Sequence, residues 1–144
     1  VYKRQDLDFI IVDMPPGTGD TQLTFSQGIE MNGAIIVSTP QEVALLDVKR
    51  GIKMFDKLGV KILGLIDNMS SFTGDDGKKY AIFGEGGVKR TAEEFNKEFL
   101  AEIPINPEVG KSGDQGKPIV ESNPENEISQ IYLDLAKKIK SIYL

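Results

Sequence analysis

The first residue that could take part in chemistry is a carboxylate at the end of an apolar run. Residues 8–12, DFIIV, predict a strand buried on both faces, and Asp13 follows them directly. A carboxylate at the tip of a buried strand can hold Mg²⁺, directly or through water. The same residue type also begins turns and caps the loop that follows. The local pattern leaves both interpretations open.

A stiff, glycine-rich turn follows this carboxylate. Its prolines remove backbone donors and fix φ, and its glycines allow backbone N–H groups to approach a ligand closely. Such a loop can contact a terminal phosphate and change shape when that phosphate leaves. An ordinary turn is the alternative. The residues are Pro15, Pro16, Gly17, Thr18, Gly19 and Asp20, the last also being the predicted N-cap of a helix over 21–29.

Composition narrows the available chemistry. The 144 residues include no Cys and no His, which excludes disulfides, thiolate nucleophiles and a histidine base. The formal net charge of −5 argues against nucleic acid or an anionic membrane as the main partner. No apolar run approaches the roughly 20 residues of a membrane span. We therefore expect a cytoplasmic protein and, because residue 1 is Val, a piece of a longer chain.

The middle of the chain has the pattern of a βαβ unit. Residues 33–39 predict a buried strand, 41–59 an amphipathic helix with Leu45, Val48, Ile52 and Phe55 on its apolar face, and 60–68 a third strand. Strand, helix and strand at this spacing indicate parallel pairing.

The rest of the chain continues the alternation. We predict a loop with a small hairpin over 70–87, in which GEGG is a glycine turn into the next helix. A helix over 88–100, a short strand over 101–104, mostly loop over 105–125 and a helix over 126–144 follow. The prediction is a single α/β domain with an incomplete, doubly wound sheet. Because ligands bind beyond the carboxyl ends of parallel strands, we expect Asp13, Thr39, Asn68 and Pro104 along one rim.

Four stretches taken together carry a family resemblance. They are DFIIVDMPPGTGD, GAIIVSTPQEVALLDVKRGIKMFDKLGVKILGLIDNMS, YAIFGEGG and EIPINPEVGKSGDQGKPIV. In this order they resemble the Mrp/ApbC type of P-loop ATPase, the iron–sulfur cluster carriers related to the MinD/ParA ATPases. The resemblance implies the C-terminal part of a doubly wound, mostly parallel P-loop NTPase sheet.

The resemblance also implies roles for single residues, with ATP and Mg²⁺ as cofactors. Asp13 matches the catalytic Walker-B aspartate that positions Mg²⁺ and the attacking water, and the turn after it matches the switch II loop. Asn68 matches an asparagine that hydrogen-bonds the adenine edge, to which an amide can both donate and accept. The family's loop that passes beside the adenine base corresponds in this sequence to Pro104, Ile105, Asn106 and Pro107.

Two departures limit what the resemblance implies. The family's phosphate-binding motif, G-K-G-G-V-G-K-[ST], does not occur in these residues, so we expect it upstream and expect the chain alone to be an inactive, poor nucleotide binder. Residues 70–79 fill the place where the family commonly has Cys-x-x-Cys. We therefore expect no iron–sulfur cluster on this chain's own side chains. The implied partners are a second copy, forming a homodimer, and iron–sulfur client proteins.

Two other functions remain open at this stage. One is a MinD/ParA-like positioning ATPase, and the other is a non-enzymatic interaction module. The stretches IFGEGG and NPEVGKSGDQGKPIV favour a carrier over a positioning ATPase, whereas the missing Cys-x-x-Cys weakens the case for a carrier.

Overall fold

Ten helices and strands make up the part of the chain that the structure describes. The structure is a computed structural model that describes residues 7–14 and 20–144. In chain order the elements are α1 (Asp20–Gly28), β1 (Ala34–Ser38), α2 (Glu42–Leu58), β2 (Ile62–Thr73), β3 (Lys79–Tyr80), α3 (Gly87–Glu94), β4 (Phe99–Ile105), α4 (Pro107–Asp114), α5 (Ile119–Ser122) and α6 (Glu127–Tyr143). Alternating strands and helices give the α/β class that the sequence predicts.

The long strand β2 is the centre of the sheet. β1 and β4 both pair with it, and both run parallel to it. The short strand β3 pairs with the last part of β2 in the antiparallel direction. The predicted mostly parallel sheet is confirmed, with one antiparallel hairpin added to it.

Helices cover both faces of this sheet. On one face α2 and α3 pack against β2 through the buried residues Leu45, Val48, Ile52, Ile62, Leu65, Val88 and Ala92. On the other face α5 and α6 pack through Ile66, Ile103, Ile119 and Ile128. Each fully buried aliphatic side chain stabilises the fold by about 1.5–3 kcal/mol. The sheet therefore lies between two apolar layers, which confirms the doubly wound arrangement.

The helix α2 illustrates how closely the apolar spacing determines the structure. Leu45, Val48 and Ile52 are buried as predicted, and Phe55 packs against the same cluster. Gly59 ends the helix in the left-handed conformation at φ 71°, the conformation for which glycine is preferred at this position. Even α2 and α6, with 17 residues each, are too short or too polar to cross a membrane, as is every other helix in the described ranges.

The first predicted strand is wrong. The strand was predicted over 8–12, but residues 8–14 form no strand, and Ile10 and Ile11 are 73% and 86% exposed. An apolar strand is buried only between two neighbouring strands and two layers of helices. Within the described residues β1 pairs with β2 alone, so this segment has no strand partner. Its Phe9 ring makes an edge-on contact with the Tyr143 ring, the two centroids being 6.3 Å apart.

The boundaries around the hairpin also differ from the prediction. β2 continues to Thr73 instead of ending at Asn68, and Phe72 and Thr73 pair with Tyr80 and Lys79. The predicted small hairpin is thereby confirmed, because β2 itself provides its first strand. The helix after it ends at Glu94 instead of residue 100, since Asn96 takes a left-handed φ of 51° that ends helices.

The prediction of mostly loop over residues 105–125 is wrong, because this range contains α4 and α5. Pro104 lies inside β4 instead of ending it. A proline is tolerated there because β4 pairs on one side only among the described residues. Pro107 is the first residue of α4 and Pro118 immediately precedes α5, positions at which a missing N–H costs nothing.

Candidate functional site

The carboxyl ends of three parallel strands form one rim of the sheet. Ser38 is in register with Asp67, which places Thr39 at the level of Asn68. Asn68 is in register with Ile103, which places Pro104 next along the same rim. Of the four residues predicted along one rim, Thr39, Asn68 and Pro104 lie at one level of the sheet, although β2 continues to Thr73 and β4 to Ile105.

Asp13 does not join this rim through a strand. It is exposed and follows a segment without secondary structure. The prediction that it ends a strand of the sheet is therefore wrong, for the reason given for residues 8–14. The predicted turn residues Pro15, Pro16, Gly17, Thr18 and Gly19 lie outside the described residues. Asp20 is the first residue of α1 and not, as predicted, the N-cap before it.

Asn68 lies where β2 changes its backbone conformation. It is half-buried, and Met69 after it has a φ of 57°, which is unusual for a residue other than glycine. The left-handed conformation costs roughly 1–2 kcal/mol for such a residue. The pairing with β4 also shifts register between Asn68 and Phe72. The strand thus departs from regular geometry directly after Asn68, the residue that the family resemblance matches to the asparagine at the adenine edge.

The loop after β4 is short and rigid. Pro104 and Ile105 end β4, and Asn106 is the one residue between that strand and α4. The Asn106 Oδ1 accepts a hydrogen bond from the backbone N–H of Glu108 at 2.9 Å, which caps α4. The Glu108 carboxylate accepts from the side-chain amides of Asn123 and Asn126, at 3.2 and 2.9 Å. The predicted loop residues Pro104, Ile105, Asn106 and Pro107 are therefore held in place by local contacts.

Asp67 is a residue that the sequence places at the rim but to which it assigns no role. Its side chain is 1% exposed, and its Oδ1 has no hydrogen-bond partner among the described residues. Burial, and secondarily the charge of Glu102, raise its pKa to about 6. The signal in the sequence was a lone carboxylate at the end of the apolar run ILGLID. A charged residue in such a run is expensive to bury unless it is paired or protonated.

The glycine-rich stretch before α3 is a structural turn. Gly86 precedes the helix with a φ of 65°, and Gly87 is its first residue. A Cβ at Gly87 would stand 2.6 Å from the carbonyl oxygen of Pro40. Only glycine lets the helix approach the turn after β1 this closely. The interpretation of GEGG as a turn into a helix is confirmed.

The hairpin occupies the place where the resembled family has its cysteines. At its tip the Asp76 carboxylate accepts hydrogen bonds from the Lys78 backbone N–H at 3.0 Å and the Tyr80 hydroxyl at 2.8 Å. These bonds lower the pKa of Asp76. Nowhere in residues 7–14 and 20–144 does a group of three or more His, Cys, Asp or Glu side chains come together to hold a metal ion.

The fold and the rim define a class of protein. A mostly parallel sheet with helices on both faces and polar strand ends at one rim is the architecture of nucleotide-binding α/β domains. The chain belongs to the ParA family, in the group described as NUBPL iron-transfer P-loop NTPases, whose family model matches residues 2–140.

Curated relatives are named as iron–sulfur cluster carrier proteins. The one from Aquifex aeolicus is 44% identical over 97% of this chain and 39% of its own length. The one from Haemophilus influenzae is 47% identical over 94% of this chain and 37% of its own length. The chain thus spans about two-fifths of the curated relatives it matches.

Solved structures agree with the fold. A nucleotide-binding protein from Archaeoglobus fulgidus in complex with ADP is 37% identical, with a TM-score of 0.68 over 80% of this chain and 46% of the other. The cell division ATPase MinD from Pyrococcus furiosus is 23% identical, with a TM-score of 0.74 over 96% of this chain and 54% of its own. The second likeness concerns the fold alone.

Proposed function

We propose that the chain is the C-terminal part of an ATP-dependent iron–sulfur cluster carrier and that its rim binds the adenine end of the nucleotide. The observation that carries the proposal is that Thr39, Asn68 and Pro104 lie at one level across three parallel strands, toward their carboxyl ends. The family membership and the ADP held by the Archaeoglobus fulgidus relative support it.

Asn68 is the proposed reader of the base. An amide offers both a donor and an acceptor, which matches the N6 amino group and N1 of adenine. The loop from Pro104 to Pro107 is proposed to lie beside the base, and its rigidity supports this role. A loop that is already ordered by the Asn106 cap loses little conformational entropy when a ligand binds.

Catalysis is proposed to depend on Asp13 and the turn from Pro15 to Asp20. In this proposal Asp13 orders Mg²⁺ and the attacking water, and the turn senses the terminal phosphate. When bound, Mg²⁺ neutralises charge on the phosphate oxygens. The lysine and hydroxyl that usually hold the phosphates belong to a motif that these 144 residues lack. We propose that upstream sequence supplies it, with the working unit a cytoplasmic homodimer that transfers clusters to client proteins.

The iron–sulfur cluster is the cargo of the proposed carrier. The residues that replace the family's cysteines are hydroxyls, carboxylates and lysines, which suit sulfide-bridged iron poorly. We therefore propose that any cysteine ligands lie outside residues 1–144 and that the hairpin contributes a protein contact.

Base recognition by Asn68 can be tested in the complete protein. We expect Asn68→Ala to weaken ATP binding about 10-fold, the effect of losing one to two net hydrogen bonds, and to weaken GTP binding little. The matched control is Asn32→Ala, which removes an exposed amide. Calorimetric titration with both nucleotides measures the effect. Equal ATP affinity in the Asn68 variant and the parent protein would contradict the proposed role.

A further inference from the structure

Asp67 is the buried group at the rim to which the proposed function assigns no task. Its Oδ1 lacks a hydrogen-bond donor among the described residues, and no ion pair in that part of the chain includes it. Leaving an ionised carboxylate in such a place is costly, so something must satisfy it or neutralise it.

The neighbours of Asp67 in residues 7–14 and 20–144 supply no positive charge. Leu65 packs against α2 and α3, and the two-residue period of a strand places Asp67 on the same face. The residues that α2 and α3 bury toward this face are apolar apart from Thr91, whose hydroxyl donates to the carbonyl of Gly87 at 3.0 Å. The neighbouring strands contribute the in-register residues Ser38 and Glu102.

These two cross-strand neighbours act on the carboxyl in opposite ways. Glu102 is exposed and carries a negative charge, which disfavours a second negative charge beside it. The Ser38 hydroxyl is the one side-chain donor among the two, and it donates to the carbonyl oxygen of Thr39 at 2.9 Å. A hydroxyl rotates freely about its C–O bond, so it can exchange that acceptor for another.

We propose that Asp67 is a proton-linked switch at the rim, in which loss of its proton redirects the Ser38 hydroxyl from Thr39 to the new carboxylate. The step breaks only the O–H bond of the carboxyl group, and the proton passes to water. The Thr39 carbonyl oxygen then gives up its hydrogen bond. Burial and Glu102 set the pKa of Asp67 at about 6, which brings the switch into a range that cells reach.

The switch connects to the surrounding turns. Thr39 precedes Pro40, whose carbonyl oxygen lies against Gly87 at the start of α3. A change of hydrogen bonding at Thr39 therefore acts on the contact between the turn after β1 and the glycine-rich turn. The switch involves no ligand, so a failure of nucleotide binding at the rim would leave it unaffected.

The test is a titration of the complete protein labelled with ¹³C at the aspartate side-chain carboxyls. We expect the Asp67 resonance to titrate near pH 6, whereas the exposed Asp76, whose pKa its hydrogen bonds lower, serves as the internal control. An Asp67 midpoint at the ordinary value of about 4 would overturn the proposal.

Two variants separate a switch from a merely buried acid. Ser38→Ala should raise the Asp67 midpoint by about half a unit or more, because the ionised form loses its donor. Glu102→Gln, at an exposed position, should lower it by a similar amount by removing the neighbouring charge. An unchanged midpoint in Ser38→Ala would refute the redirection of the hydroxyl, and an unchanged midpoint in Glu102→Gln would refute the pairing with Glu102.

Discussion

Gly87 lies against Pro40 so closely that a Cβ on it would stand 2.6 Å from the Pro40 carbonyl oxygen. The same Cβ would stand 2.8 Å from the Leu45 side chain. This contact joins the start of α3 to the turn after β1, and both belong to the rim. The glycine is therefore a packing requirement of the site's framework.

Gly87→Ala should destabilise the chain by about 2 kcal/mol, because a backbone carbonyl cannot move aside as a side chain can. The matched control is Gly51→Ala in α2, where a Cβ meets nothing within 4 Å. That control should stabilise by about 0.5–1 kcal/mol through helix propensity. Urea unfolding of both variants measures the difference, and a Gly87→Ala chain as stable as the parent would contradict the close contact.

Ser129→Ala should cost about 1 kcal/mol in unfolding free energy. Ser129 is fully buried, and its hydroxyl lies 3.0 Å from the carbonyl oxygen of Ile119 and 2.7 Å from that of Asn123. Its removal takes away one buried hydrogen bond, while each carbonyl keeps a single backbone donor, the Asn123 N–H for Ile119 and the Asn126 N–H for Asn123. Ser141→Ala, at an exposed hydroxyl in the same helix, should change stability by less than about 0.5 kcal/mol. Thermal unfolding of the pair would show no difference if the buried hydroxyl did not matter.

Asp67→Asn should change how stability depends on pH. The Asp67 pKa is about 6 in the folded chain, above the ordinary value of about 4 that applies when the chain is unfolded. Between these values the folded state binds the extra proton, so the parent loses unfolding free energy as pH rises from about 4 to 6. The loss should reach about 1–3 kcal/mol and then stay constant. The difference between variant and parent should follow this course in urea unfolding from pH 4 to 8. A difference that is independent of pH would contradict it.

Asp13→Asn in the complete protein should leave most nucleotide binding intact and lower ATP turnover by about 100-fold or more. The carboxylate charge is needed where Mg²⁺ and the attacking water are ordered, and one preorganised electrostatic group contributes on this scale. Asp8→Asn is the control, since it removes a charge close by in the sequence. Turnover near the parent rate in the Asp13 variant would remove this residue from the catalytic site.

Residues 70–79 should bind no iron–sulfur cluster. Anaerobic reconstitution of the complete protein with iron and sulfide, followed by visible absorbance and iron analysis, tests this expectation. Substituting Ser70, Ser71 and Asp75 with Ala should leave the iron content unchanged, because hard oxygen ligands suit these clusters poorly. Stoichiometric iron that disappears in this triple variant would show that the hairpin ligates the cluster.

The apolar spacing predicted most of the fold. Leu45, Val48 and Ile52 identified α2 and its buried face, because helical periodicity is a local property that tertiary packing here supports. Residues 9–12 failed for the opposite reason. Their composition suits a buried strand, but burial depends on neighbouring strands, which no local pattern reports.

The candidate site was predicted less completely. Parallel strand direction follows from the alternation of strands and helices, so Thr39, Asn68 and Pro104 could be expected toward one rim. The role of Asp67 could not, because the absence of a donor near a carboxylate depends on side chains from other strands and helices. The prolines were ambiguous because the same residue type can begin a helix or stand in a loop. The high number of prolines between 104 and 124 predicted a loop, but Pro107 begins α4.

The one-sided pairing of β1 has a practical consequence for handling the chain. Within the described residues its second edge offers unpaired N–H and C=O groups beside Val37, which is 55% exposed. An open apolar edge is a template on which another chain can add a strand. The purified 144-residue chain should therefore associate edge to edge as its concentration rises, and a lysine at Val37 should suppress that association. Light scattering across a concentration series would reveal it before any assay of function is attempted.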